Sequence, residues 1–374
     1  MSQPWYQLSD PDSVPSPALL IYKQRVDENL RRMLAIAGSP ERLRPHVKTH
    51  KVPQIVRAQI AQGVTRFKCA TIAEAEMTAE AGASDVLLAY QPVGPNIARL
   101  ATLVERFPGT RFSALVDNVE TAHTIGRAFD RRRKTIELLI DLDVGMHRSG
   151  MAVGSPAHVL YRALSGIPGV RPGGLHAYDG HLRDSDPSIR RTKCDDAFAS
   201  VSQLAERLRR DALSLPRIVA GGTPTFPIHA MRGDVECSPG TCVYWDSCYG
   251  GTLEDLDFQF AALVLTRVVS KPGENRLCLD LGHKAIASEN PHPRVLLFSR
   301  ATDKPLPASF IGHSEEHLVL ETPEVDTYKV GDCMYGVPWH ICPTVALYSD
   351  AQIVQDGQIV DRWEIRARAR RLSI

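Results

Sequence analysis

The chain of 374 residues exceeds the size at which one hydrophobic core is usual, so a large domain followed by a smaller one is expected. Apolar residues make up 43%, and 44 basic residues balance 43 acidic ones for a formal net charge of +1, which supplies no basic excess for nucleic acid and no polybasic block for a membrane surface. No apolar run approaches the roughly 20 residues that cross a bilayer. The opening Met1-Ser2-Gln3-Pro4-Trp5 carries no signal pattern, and the eight cysteines are scattered without a CxxC pair, as suits reduced thiols in a cytoplasm.

Along the chain, short β-branched or apolar runs alternate with segments of helical periodicity. Strands are expected at Ala18–Tyr22, Leu43–Lys48, Arg66–Ala70, Asp85–Tyr90, Arg111–Asp117, Ile136–Asp143, Gly173–Tyr178 and Arg217–Gly221, and helices at Val52–Gln62, Ile72–Ala81, Asn96–Arg106, Val119–Arg131 and Ala197–Arg210. Eight βα units over ~250 residues suit a (β/α)8 barrel, with an open doubly wound sheet as the alternative. From Phe258 onward short alternating strands replace helices, which reads as a small antiparallel β domain. The expected division is 1–257 and 258–374.

Four constellations carry chemistry. Arg44-Pro45-His46-Val47-Lys48-Thr49-His50-Lys51 ends a strand and precedes a helix, which puts Lys48 at the catalytic rim of a barrel, where desolvation and neighbouring cations lower an amine's pKa. Gly221-Gly222-Thr223 follows the eighth expected strand and offers backbone N–H groups and hydroxyls to a phosphate, with Gly240-Thr241 as a second side. Val337-Pro338-Trp339-His340-Ile341-Cys342, if extended, turns His340 and Cys342 toward one point, a nitrogen and a thiolate suited to Zn2+. Two ligands leave room for water and substrate, as a catalytic metal requires.

These motifs resemble the fold-type III enzymes that use pyridoxal 5'-phosphate (PLP), the group that includes alanine racemase, and within it the D-threonine aldolase and D-serine dehydratase family. The resemblance covers nearly the whole chain. It implies that Lys48 carries the cofactor, with His46 beside it. Arg148 of Asp143-Val144-Gly145-Met146-His147-Arg148-Ser149-Gly150 would sit beside the phenolic oxygen, and Tyr178 of Tyr178-Asp179-Gly180-His181 would lie in the site. Gly221, Gly222, Thr223, Gly240 and Thr241 would surround the phosphate. His340 and Cys342 would hold a divalent metal, Zn2+ in the first place and Mn2+ or Mg2+ as alternatives. Asp280-Leu281-Gly282-His283-Lys284-Ala285 matches a C-terminal domain motif of the family.

The resemblance implies a homodimer acting on D-β-hydroxy-α-amino acids, favoured as an aldolase giving glycine and an aldehyde, with His181 and His340 as candidate proton carriers. The alternative is a D-serine or D-threo-3-hydroxyaspartate dehydratase, with Lys48 taking the Cα proton. A racemase and a non-catalytic PLP carrier are weaker readings. The chain departs from the aldolase pattern in carrying Cys342 where aldolases commonly have Asp, and in reading Thr344-Val345-Ala346 where the family often has Thr-Val-Asn.

Overall fold

The structure, a computed structural model, describes residues 4–373. Seven parallel strands, Arg66–Cys69, Asp85–Leu88, Arg111–Val116, Ile136–Asp143, Val170–Ala177, Ile218–Ala220 and Val235–Cys237, lie side by side in chain order. Residues 43–46 close the ring between the last and the first. Leu43 bridges Cys237 and His46 bridges Lys68. The closing bonds run from Arg44 N–H to the Cys237 carbonyl (2.8 Å), from His46 N–H to the Pro239 carbonyl (2.8 Å) and from Lys68 N–H to the Pro45 carbonyl (2.9 Å). The result is an eight-stranded (β/α)8 barrel. Its helices Ile72–Glu80, Val119–Asp130 and Pro187–Arg210 begin where the side chains of Thr71, Asn118 and Asp186 accept orphan backbone N–H groups.

Barrel membership differs from expectation at one strand. Ala18–Tyr22 is a strand, but it pairs antiparallel with Ala262–Ser270 and parallel with Asp350–Gln355, outside the barrel. Its sequence, Ala-Leu-Leu-Ile-Tyr, is buried throughout, and such a run fits the middle of either sheet. The eighth barrel strand is Val235–Cys237, too short and polar to register as one.

Side chains inside the barrel stack in layers because strand residues alternate faces. An apolar layer of Leu87, Leu115, Leu139 and Val219 fills the middle. Two residues earlier on these strands stand Asp85, Glu137 and Arg217, which with Arg44, Arg66 and Glu236 make a charged plug. Arg44 is fully buried, with Nη1 2.6 Å from Asp85 and Nε 2.6 Å from Glu236, and Arg217 reaches Glu137 at 2.5 Å. Burial alone would raise the Asp85 carboxyl, but the Arg44 charge outweighs it and holds its pKa below the usual range.

Residues 32–240 and 369–373 form one compact unit, and residues 4–31 and 241–368 form the other. The compact units part at Gly240 and not at the expected 257/258, and the first segment belongs with the later strands because Ala18–Tyr22 finds its hydrogen-bond partners there. That unit is a mainly antiparallel sheet. Val264, Leu277, Leu320 and Met334 pack on one face, and Leu20, Leu263, Leu265 and Val337 pack on the other. Among the described residues, no helix is long and apolar enough to cross a membrane.

Removing Arg44 strands two buried carboxylates. Arg44→Leu is expected to destabilise the protein by about 3–5 kcal/mol in urea denaturation. A loss under about 1 kcal/mol would show that the plug behaves as a solvated surface network.

Candidate active site

The closing strand ends in a short 3-10 turn, Val47–Thr49, so Lys48 stands just past the strand end, at the C-terminal rim. His46 Nδ1 accepts the Lys48 N–H at 3.3 Å. The next lysine, Lys51, is tied to Glu74 by an ion pair. His46 is buried among cations. Desolvation first, then the charges of Lys68 and Lys48, push its pKa well down, so its ring is neutral at pH 7.

Further residues come in from the neighbouring strands and the loops that follow them. Lys68, two residues along from Arg66 and so on the same inward face, is 2% exposed, and burial followed by the Lys48 charge lowers its pKa to about 7. Its ammonium lies 5.6 Å from the Tyr178 ring centroid, and the Arg148 guanidinium lies 5.3 Å from the same ring. His176 Nδ1 and Asp141 share a 2.7 Å hydrogen bond, and Ser149 donates to the other Asp141 oxygen at 3.0 Å. His176 Nε2 is buried without a partner. His181 reaches in from the following loop with Nδ1 likewise buried and unpaired, and a Cβ on Gly145 would stand only 3.0 Å from its Nε2. Asp143 shapes that opposing loop by accepting the N–H groups of Gly145 and His147.

The Gly221–Thr223 turn differs from the expected cradle in one respect. Its glycine amides are engaged: Gly221 N–H donates to the Ala177 carbonyl (3.0 Å) and Gly222 N–H to Thr225 Oγ1 (3.3 Å). The glycines instead provide a floor without side chains. A Cβ on Gly222 would press on the Tyr178 ring at 3.1 Å, and one on Gly240 would press on Thr49 and His46 at 3.2–3.3 Å. Gly240 N–H donates to Thr223 Oγ1 at 3.2 Å, which ties the two halves of the floor together. Beneath it lies a buried group, Asp179, Cys194 and His229, whose ligand atoms come within 4.8 Å of one another.

In the other unit the extended strand stops at Pro338, so His340 and Cys342 do not sit on a strand. His340 is the N-cap of the turn Ile341–Val345 and Cys342 lies inside it. They converge nonetheless. Burial pushes His340 down, but a hydrogen bond to Cys342 and one to Glu289 raise its pKa to about 9. Glu289 meets His340 Nδ1 at 2.5 Å, an outer contact of the kind that orients a ligand ring. Asp246, buried and raised to about 6 by desolvation, accepts the Ile341 N–H at 3.2 Å between the two side chains. Thr241 belongs to this unit, and its hydroxyl lies 3.7 Å from Cys342 Sγ.

Lys48, His46, Arg148, Tyr178, His181, Gly221, Gly222, Thr223 and Gly240 therefore fall in the barrel unit, and Thr241, His340 and Cys342 in the other. Sequence reasoning passed over Lys68, Asp141, His176, Asp179 and Glu289. The signal for two of them was present: Lys68 and His176 are polar residues two places from inward-facing neighbours, Arg66 and Tyr178, on otherwise apolar strands.

Residues 21–248 match the family model for the alanine racemase N-terminal domain, and residues 261–354 match that for a serine dehydratase domain. The chain is 30% identical to the D-threonine aldolase of Arthrobacter sp. over 95% of its own length and 93% of the relative's. It is 27% identical to the D-threo-3-hydroxyaspartate dehydratase of Delftia sp. (strain HT23) over 93% and 96%. The crystal structure of D-threonine aldolase from Filomicrobium marinum superposes with a TM-score of 0.86 at 27% identity, covering 96% of each chain.

Lys68 has a folded-state pKa below its unfolded value, so the unfolded chain binds more protons between about pH 7 and 10.5, and stability rises with pH across that window. Lys68→Met should remove that contribution. Denaturation midpoints of the two proteins should diverge least at the alkaline end and most near pH 7. Parallel curves would show Lys68 to be solvated and ordinary.

Proposed function

The chain belongs to the family of PLP-dependent lyases built on an alanine racemase N-terminal domain, and on that premise we propose that it cleaves D-configured β-hydroxy-α-amino acids as a D-threonine aldolase. The observation that carries the cofactor's position is Lys48 at the end of the barrel-closing strand, at the rim where Lys68 and Arg148 face the Tyr178 ring and Gly222 lies against it. The residues fit the cofactor. The floor is one that a Cβ would fill, and His176 Nε2 and His181 Nδ1 are polar atoms left waiting for a partner. When bound, PLP supplies the electron sink for the pair of electrons left at Cα.

Lys48 is the residue that carries the cofactor. Arg148 provides a fixed positive charge for its phenolic oxygen, Tyr178 gives the ring a wall, and Thr223 offers a hydroxyl to its phosphate. His46, held neutral, donates no competing charge. His181 is the candidate to take the β-hydroxyl proton as the Cα–Cβ bond breaks, since its Nδ1 is unengaged. His340 and Cys342 are read as the ligands of a divalent metal, Zn2+ by the softness of the pair, with Mn2+ or Mg2+ as alternatives. Such a metal supplies Lewis acidity toward the substrate hydroxyl. Glu289 and Asp246 then orient the ligand ring and the ligand turn. The family resemblance further supports a homodimer, and the eight scattered cysteines support a reducing, cytoplasmic location.

Cys342 favours a second reading, β-elimination by a dehydratase with Lys48 taking the Cα proton, because the resemblance associates a thiolate at this position with dehydratases. One assay separates the two. The holoenzyme is given D-threonine, D-serine and D-threo-3-hydroxyaspartate while glycine, aldehyde and 2-oxo acid are measured separately. Glycine and acetaldehyde from D-threonine are expected. 2-Oxo acid and ammonia alone would replace the aldolase with the dehydratase. Borohydride should fix PLP to Lys48, and labelling of Lys68 or Lys51 would overturn the assignment.

Exhaustive chelation, like His340→Ala, should lower turnover by roughly 100-fold or more while the cofactor's visible absorbance and the fold persist. Full activity in chelator would remove the metal from the chemistry, and unfolding would make it structural.

A further inference from the structure

The buried group of Asp179, Cys194 and His229 has the spacing of a three-ligand metal site, and no step of the proposed reaction uses it. The donors around it decide what it is. Arg232 Nη1 stands 3.0 Å from His229 Nδ1. A guanidinium has only N–H donors, so Nδ1 must accept. The proton of the imidazole therefore sits on Nε2, 2.8 Å from Asp179 Oδ2, and His229 donates to the carboxylate. A cation bound there would need the Nε2 lone pair, which would force a proton onto Nδ1 against the guanidinium. The Arg232 charge also lies 3.9 Å from Cys194 Sγ, where a second cation would be repelled.

His229 and Thr225 instead both donate to Asp179. Thr225 Oγ1 donates to Asp179 Oδ1 at 2.7 Å and accepts the Gly222 N–H at 3.3 Å. At the other end Asp195 pairs with Arg232 and fixes its guanidinium. Asp179, Thr225 and His229 are all at most 3% exposed. The chain of hydrogen bonds thus runs from the outer helix, through Arg232, His229 and Asp179, to the amide of the glycine that lies against Tyr178. Asp179 is also the residue next to Tyr178.

We propose that Arg232, His229, Asp179 and Thr225 form a positioning relay that sets the Gly222 floor and the Tyr178 wall for the cofactor, and that the group holds no metal. This rests on the reading that the floor takes the cofactor's phosphate. His229→Gln preserves the relay, since its amide donates to Asp179 while its carbonyl accepts from Arg232; His229→Leu breaks it, and Thr225→Val cuts the last link without touching the histidine.

The test uses the full chain. The dissociation constant for PLP is measured by absorbance titration, the environment of its phosphate by 31P NMR, and bound metal by elemental analysis. His229→Leu, Asp179→Asn and Thr225→Val should weaken PLP binding by at least about tenfold and move the phosphate resonance. His229→Gln should restore most of both, and Cys194→Ala should leave both unchanged. If His229→Leu or Asp179→Asn fails to fold, Thr225→Val reads the same link. Unchanged PLP affinity and resonance in folded Thr225→Val would overturn the relay. So would a stoichiometric metal that Cys194→Ala loses while His340→Ala keeps it. Gly222→Val serves as the separate control: if it leaves PLP affinity intact, the phosphate reading itself has failed.

Discussion

Three backbone hydrogen bonds, from Arg44, His46 and Lys68, close the barrel through residues 43–46, and the position of Lys48 depends on them. The closing strand is short, yet it fixes two alternating faces. Arg44 and His46 turn inward, one into the charged plug and one into the upper layer. Lys48 then lies beyond the last of these closing hydrogen bonds, where the chain tightens into a 3-10 turn at the C-terminal rim. Opening that seam would move the amine and disband the plug together.

The same alternation explains the chemistry of the interior. Apolar leucines in the middle layer isolate two polar layers from each other. Below, opposite charges are paired within 3 Å and serve architecture. Above, Lys68 has no such carboxylate contact, and His176 has one engaged nitrogen and one idle nitrogen. Buried polar atoms without partners are uncommon. The idle nitrogens of His176 and His181 leave hydrogen-bonding capacity for a ligand, whereas Asp179 and His229, also buried, have theirs filled.

Much of this was legible in the sequence, and the gaps have physical causes. Lys48, Tyr178, the Gly221–Thr223 turn and the His340–Cys342 pair could be singled out because each combines a distinctive residue type with a strand end or turn. Five helices lay close to their expected positions, although Pro187–Arg210 begins well before the expected Ala197 because Asp186 caps it. Ala18–Tyr22 was assigned to the wrong sheet because burial on both faces erases the pattern that distinguishes one sheet from another. Val235–Cys237 was missed because three residues carry no periodicity. The engagement of the Gly222 amide was invisible for a different reason: its partner Thr225 satisfies Asp179, which arrives from another strand, and no local spacing encodes that meeting.

The path of the chain has a consequence for how the molecule is made. The ribosome delivers Ala18–Tyr22 long before Ala262–Ser270 and Asp350–Gln355, the strands it pairs with. During synthesis an apolar five-residue strand with both edges unpaired must stay out of aggregation while the barrel segments emerge and collapse behind it. The barrel unit is itself incomplete until the end, since Ser373 ties the last residues to Glu76 and to Arg106. Each unit thus encloses part of the other in sequence, and neither can be completed before synthesis of the other has begun. A chain cut at the apparent border after the barrel would release an orphan strand at one end and lose its final clasp at the other.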